Sequence, residues 1–314
     1  MARANAAGAA WTAARASILR LAQRYPGITG VDYGYIYKGG QRTRRLGARF
    51  HVKLKRPIEE VPASEVLPTS VDGLPCDVIQ ASYDLLSSPQ AICNPVQLGV
   101  SVGNLQRGST GTVGLIVRDM VSGKPVILSN WHVLCGNVQA RAGDVLVQPG
   151  PHHIGNAAPR PVAHLTRWLP LSTGYDAAIG ILDPATNATN NLFGTAVAVK
   201  GAAPPRTGMS LIKFGALTRA THGVVDGVNG SYVLDYSGRG DAARQMDGVM
   251  IRRDARFPEA EISLEGDSGA IWVDSKNRAV ALLFAGEDGV GPTAEYALAH
   301  SIDRVFSLLQ LQPL

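Results

Sequence analysis

The chain has 314 residues, 45% of them hydrophobic and only 18% charged, with 35 Gly and 19 Pro. At roughly 150 residues per domain, that length predicts two domains or one large β domain with an appendage. The composition excludes collagen, coiled coil and wholesale disorder, and its Gly and Pro content points to many turns joining short strands. The formal charge of +5 is uneven: residues 1–90 hold 12 Lys and Arg against 7 Asp and Glu, and the remainder balances at 18 each.

No stretch approaches the roughly 18 consecutive apolar residues that a membrane-spanning helix needs. The longest, Ala279 to Ala285, is strand-length, so no membrane partner is expected. The N-terminal segment is rich in Arg and Ala and carries no acid before Asp32, a composition shared with organelle transit peptides. Trp11, Ala14, Ile18, Leu21 and Tyr25, however, recur at steps of three and four, which predicts a folded amphipathic helix.

Alternation of Val31, Tyr33, Tyr35 and Tyr37 up to Lys-Gly-Gly-Gln then predicts a hairpin. In its second arm Leu46, Ala48, Phe50, Val52 and Leu54 share one face and Arg45, Arg49, His51, Lys53 and Lys55 the other. Such a basic stripe suits nucleic acid or another acidic partner, or simply a solvated face. With no aromatics among the charges, the solvated face is the favoured reading. A further strand from Leu74 to Tyr83 completes a small α+β domain over residues 1–90, with Ser87-Ser88-Pro89 at its boundary.

Residues 91–314 read as mainly β. Short apolar runs at 112–117, 125–128, 145–148, 177–182, 209–214, 223–228, 270–273 and 280–285 are separated by Gly and Pro with no helical pattern between them. That spacing predicts a sandwich or barrel. Helical spacing returns only at the end, where Ser301 stands ready to cap a helix with Ile302, Val305, Phe306 and Leu309 on one face.

Three segments carry the chemistry: Leu-Ser-Asn-Trp-His-Val-Leu around His132, Tyr-Asp-Ala-Ala-Ile around Asp176 and Glu-Gly-Asp-Ser-Gly-Ala around Ser268. A serine hydroxyl attacks an amide only when an imidazole takes its proton, and the imidazole needs a buried carboxylate to fix its tautomer. His132 and Asp176 are the candidates, with Asp144, Asp183 and Asp274 as rivals to Asp176. Gly266 permits a turn in which its N–H and that of Ser268 converge on an oxyanion. His152, His153 and His164 lack further metal-ligand spacing and read as polar loop, so neither metal nor cofactor is expected. Cys135 reads as a packed thiol, and Trp131 and Trp272 as wall or core. Three scattered cysteines, Cys76, Cys93 and Cys135, fit no disulfide framework and suggest a reducing cytoplasm.

The blocks GTVGLIVRDMVSGKPVILSNWHVL, YDAAIGIL and EGDSGAIWVD resemble the active-site blocks of trypsin-like, chymotrypsin-fold serine peptidases, in that superfamily's chain order. LSNWHV, Gln148 to Gly150, KFGALTRATHGVV and the N-terminal GVDYGYIYKGG through DGLPCDVIQASY further resemble a bacterial intracellular group with an N-terminal α+β domain, distantly similar to the plant narrow-leaf proteins. This implies a double β-barrel with a C-terminal helix, cleaving protein or peptide substrates with His132 and Asp176 from the first barrel and Ser268 from the second. It further implies a specificity pocket between residues 262–265 and 283–287, lined by Ile262, Glu265, Phe284 and Gly286. Ile262 at its floor favours an apolar or small side chain, whereas Glu265 or Glu287 there favours Arg or Lys. Asp267, which in activated zymogens receives a new N-terminus, has no evident partner in the sequence, so control by residues 1–90 is expected instead of clipping.

Overall fold

A computed structural model of the protein describes residues 2–25, 27–38, 41–52, 55, 58–81, 88–154, 158–257, 261–287 and 296–314. The chain divides into two compact units, Met1–Leu86 and Ser87–Leu314. Part of the predicted strand at 74–83, and Lys53 and Leu54 of the alternating arm, lie outside the described residues.

In the first unit, helix α1 (Ala2–Ala22) packs on a sheet of β1 (Ile28–Lys38), β2 (Gln41–Val52), β3 (Ser70–Val71) and β4 (Leu74–Gln80), ordered β1-β2-β4-β3. Ala14 and Ile18 on the helix stripe join Ala48, Phe50 and Leu74 in one core, and the Trp11 ring stacks on Tyr33 with centroids 5.8 Å apart. The helix stops at Ala22, short of the Tyr25 to which the periodicity extended it; Tyr25 lies in the turn beyond, its hydroxyl reaching the Val66 carbonyl.

The opposite face of β2 is not the open basic stripe expected. Arg45 is exposed, but Arg49 pairs with Asp32 on β1, opposite it in register, and His51 is buried with its Nε2 3.4 Å from the same carboxylate. Hydrogen bonding from Arg49 holds the Asp32 carboxyl below the usual range. A cross-strand acid therefore offsets the charge of Arg49, which the β2 sequence in isolation shows as free, while Arg42, Arg44 and Arg45 stay exposed.

The second unit contains two β-barrels. The first is built from β6 (Ser101–Asn104), β7 (Gly111–Thr112), β8 (Leu115–Asp119), β9 (Pro125–Ser129), β10 (Val145–Gln148), β11 (Arg160–Trp168) and β12 (Ala178–Leu182). The stretch 111–119 closes the ring, because β7 pairs with β6 while β8, two residues on, pairs with β9. Gly114 at that break is obligatory, since a Cβ there would lie 2.5 Å from the Gly269 carbonyl and 2.9 Å from that of Leu128. Outside the ring, β5 (Val96–Leu98) runs parallel to β13 (Ala188–Leu192).

The second barrel is closed by β14 (Ser210–Gly215), β15 (Arg219–Asp235), β16 (Ala243–Arg253), β17 (Ile271–Asp274), β18 (Ala279–Gly286) and β19 (Tyr296–Ser301). Val225, Ile251, Ile262, Trp272, Val280 and Leu283 fill its interior. Helix α3 (Ile302–Leu309) buries Ile302, Val305, Phe306 and Leu309, and β20 (Leu311–Pro313) then pairs with β8, so the chain end returns to the first barrel. Ser301 occupies the N-cap position, but its hydroxyl donates to Asp303 and makes no backbone cap bond.

The apolar runs predicted most of this core. Among the strands they left out are β11, β16 and β19: in β11 and β16 polar residues such as His164, Thr166, Arg244, Gln245 and Asp247 interrupt the apolar ones, and in β19 the short run Tyr296 to Ala299 ends at His300 and Ser301.

Candidate active site

Antiparallel pairing of β9 with β12 sets Ala178 opposite Ser129, which brings the residues just before β12 alongside those just after β9. His132 sits there, in the single turn α2 (Trp131–Leu134), and Asp176 faces it. The His132 Nδ1 lies 2.5 Å from Asp176 Oδ2, and the His132 backbone N–H donates to Oδ1 at 3.1 Å. The Asn130 side chain donates to the Asp176 carbonyl at 2.8 Å, locking the two segments together.

Asp176 has no exposed surface, and burial alone would raise its carboxyl pKa. The charge and hydrogen bond of His132 outweigh that, helped by His300 and Tyr236, and hold it to about 2. An ionised carboxylate only accepts, so Nδ1 carries a proton, and in the neutral ring Nε2 is then the acceptor.

Two residues that the sequence reading missed support this carboxylate from the second barrel. Tyr236, just beyond β15, donates its hydroxyl to Asp176 Oδ2 at 2.7 Å. His300 on β19 accepts the Asp176 backbone N–H at Nε2, 2.9 Å away, and its Nδ1 meets the Asp247 carbonyl at 2.6 Å. That arrangement requires neutral His300 with its proton on Nδ1, and burial accordingly pulls its pKa down to about 4. The ring is stacked on Phe284, centroids 4.0 Å apart.

Ser268 is half-buried in the turn ahead of β17. The turn is fastened to the first barrel through Thr112, whose N–H donates to the Ser268 carbonyl at 2.8 Å and whose hydroxyl donates to the Gly266 carbonyl at 2.8 Å. Gly266 has φ +106°. Within residues 266–270 the N–H groups of Asp267, Gly269 and Ala270 all find acceptors. Among the described residues, those of Gly266 and Ser268 donate to none.

Asp267 corrects an expectation, because its partner is internal. Lys213 Nζ lies 3.1 Å from Oδ2 with both side chains fully buried, and the Thr218 hydroxyl and the N–H groups of Leu217, Thr218 and Leu264 complete five donors. Burial pushes this carboxyl up, but the Lys213 charge and the remaining donors hold it below the usual range. The signal was present in Ser-Leu-Ile-Lys-Phe-Gly, where alternation puts Lys213 on the same inward face as Leu211.

The rivals to Asp176 are committed elsewhere: Asp144 to Arg107 and Asn104, Asp183 to His164, and Asp274 to Arg278. Cys135 is buried, and desolvation followed by the charges of Asp176 and Asp144 pushes its thiol pKa up, away from nucleophilic use. His153 bonds Ser101.

The pocket lining implied by resemblance needs correction. Ile262 has no exposed surface and packs in the second-barrel core, and Phe284 is buried under His300, so neither presents itself to a substrate. Gly286 is exposed above Ser263, whose hydroxyl oxygen a Cβ at Gly286 would approach to 2.5 Å. Glu265 lines a polar cavity of about 640 Å³ with Gly266, His152, His153, Arg107 and Arg239.

No family model and no curated protein matches the chain. Solved structures do. A glutamic acid specific serine protease aligns at 18% identity over 70% of this chain and 100% of its own, with a TM-score of 0.50. A protease from Nocardiopsis aligns at 16% identity over 70% and 99%, TM-score 0.49, and protease A of Thermobifida fusca at 18% over 69% and 97%, TM-score 0.49. Two barrels joined at the Ser268 turn, a closing helix and this structural likeness together give the chain a chymotrypsin-like serine protease fold.

Proposed function

We propose that the chain is a serine endopeptidase acting through an acyl-enzyme. Ser268 Oγ attacks the substrate carbonyl, His132 Nε2 takes its proton, and Asp176 stabilises the imidazolium that forms. The N–H groups of Gly266 and Ser268 receive the oxyanion. His132 then returns the proton to the leaving amine, and water repeats the sequence to release the acid. No cofactor enters this chemistry.

The observation that carries the reading is the 2.5 Å contact between His132 Nδ1 and a fully buried Asp176 carboxylate, which leaves Nε2 as the acceptor. The two unused N–H groups flanking Asp267 support it. A non-catalytic binding protein on the same scaffold is the competing reading. Incubation of the full chain with an unfolded protein such as casein separates them. New internal termini that disappear in Ser268→Ala are expected, and equal cleavage by both proteins, or none by the wild type, contradicts the proposal.

The motif similarities to the bacterial intracellular group, and more distantly to the narrow-leaf proteins, belong to this proposal, as does a cytoplasmic setting. Free thiols at Cys76, Cys93 and Cys135 fit a reducing compartment.

A further inference from the structure

The long hairpin of β15 and β16 ends in a loop from which two residues reach the catalytic candidates of the other barrel. Tyr236 donates to Asp176 Oδ2, the same oxygen that meets His132 Nδ1. Arg239, three residues on, donates from Nη1 to the carbonyl of His132 at 3.2 Å and to that of Gly136 at 3.1 Å. The Arg239 carbonyl in turn accepts the Val138 N–H at 3.1 Å. The loop is itself braced, since Asp235 binds the Ser237 N–H and hydroxyl and the Tyr236 ring meets Trp131 edge-on with centroids 6.2 Å apart.

The Tyr236 hydroxyl is almost wholly buried, so its bond to a charge is made out of reach of water. Arg239 has no carboxylate partner among the described residues, and its bonds go to the free carbonyls at the end of α2. His132 lies in that turn and Gly136 two residues beyond it, so the guanidinium satisfies two carbonyls that the turn leaves open.

We propose that Tyr236 and Arg239 are positioning residues: one loop of the second barrel fixes both the carboxylate and the backbone of the base that the first barrel supplies. The inference rests on the reading of His132 and Asp176 as base and carboxylate. Removing the Tyr236 hydroxyl leaves more of the Asp176 charge on the Nδ1 proton, which favours the imidazolium and reduces the fraction of His132 able to accept a proton. Among the described residues, His300 and Cys135 also face the pair, and the Arg239 guanidinium lies against the His132 carbonyl.

The test uses the full chain with Tyr236→Phe, Arg239→Gln and the double variant, each first shown by circular dichroism to be folded. For hydrolysis of a quenched peptide, each single change is expected to lower kcat by about tenfold with KM within twofold. The acid limb of kcat/KM is expected to move to higher pH in Tyr236→Phe. Because both residues act through one loop, the double variant should fall well short of the product of the single losses. Unchanged kcat, or a change confined to KM, overturns the proposal. If the wild type hydrolyses nothing, the endopeptidase reading fails separately. The low-field NMR resonance of the His132 Nδ1 proton then decides the positioning role: it should shift and broaden in Tyr236→Phe, and an unaltered signal overturns the inference.

Discussion

Lys213 Nζ lies 3.1 Å from the Asp267 carboxylate, and neither side chain has any exposed surface. This ion pair fixes the residue immediately before Ser268, from within the folded chain. Breaking a buried pair by removing one partner strands the other charge, at a cost of about 3–5 kcal/mol. Lys213→Met is therefore expected to lower the urea unfolding midpoint strongly. Lys213→Met with Asp267→Asn should recover part of it, because the stranded charge is gone. Equal midpoints for the wild type and the single variant would show that the pair does not hold the turn.

Gly266 and Gly269 flank the same serine but fail differently when a methyl is added. A Cβ at Gly269 would lie 2.0 Å from Ser129 Oγ and 2.4 Å from the Thr112 carbonyl, where the two barrels meet. Gly269→Ala is expected to prevent stable folding. A Cβ at Gly266 meets nothing closer than 3.9 Å, so its cost is confined to the φ of +106°, about 1–2 kcal/mol. Gly266→Ala should fold and lose activity as its N–H is turned away, an effect on the order of 100-fold or more in kcat. Circular dichroism and peptide hydrolysis distinguish the two, and a folded Gly269→Ala would contradict the packing account.

His300 makes stability pH-dependent in a definite window. Its pKa is lowered to about 4 in the fold against 6.5 when unfolded, so between those values the unfolded chain binds the extra proton. Stability then rises with pH across the window, and its contribution is lost as pH falls from 6.5 towards 4, by about 3 kcal/mol in all. The Asp176 carboxyl, held to about 2, contributes stability that is lost only further down, as pH drops below its unfolded value towards 2. Urea midpoints measured between pH 7 and 4 should decline more steeply for wild type than for His300→Gln. Parallel curves would contradict the assignment of a buried neutral imidazole.

Much of the site was legible because local pattern and local contact coincide. Asp176 precedes an apolar strand whose register against β9 delivers it to His132, and both strands announce themselves as continuous apolar runs. Tyr236 and His300 were not legible, since each meets Asp176 across a sequence separation of 60 or 124 residues, with no periodicity linking them. Ile262 was misplaced for another reason. Its position relative to Ser268 was inferred by analogy, but the direction of its side chain is set by second-barrel packing, which turns it into the core. Arg49 shows the same limit, because the Asp32 that pairs with it sits on a neighbouring strand.

The central claim is that Ser268 is activated by His132. Labelling of the full chain with a fluorophosphonate, located by mass spectrometry, tests it most directly, because the probe bonds only to a serine whose proton is being removed. The account predicts stoichiometric modification of Ser268 that is abolished in Ser268→Ala and slowed at least a thousandfold, on the order seen when a triad member is removed, in His132→Ala. An unlabelled wild type, or labelling at an equal rate in His132→Ala, would contradict it.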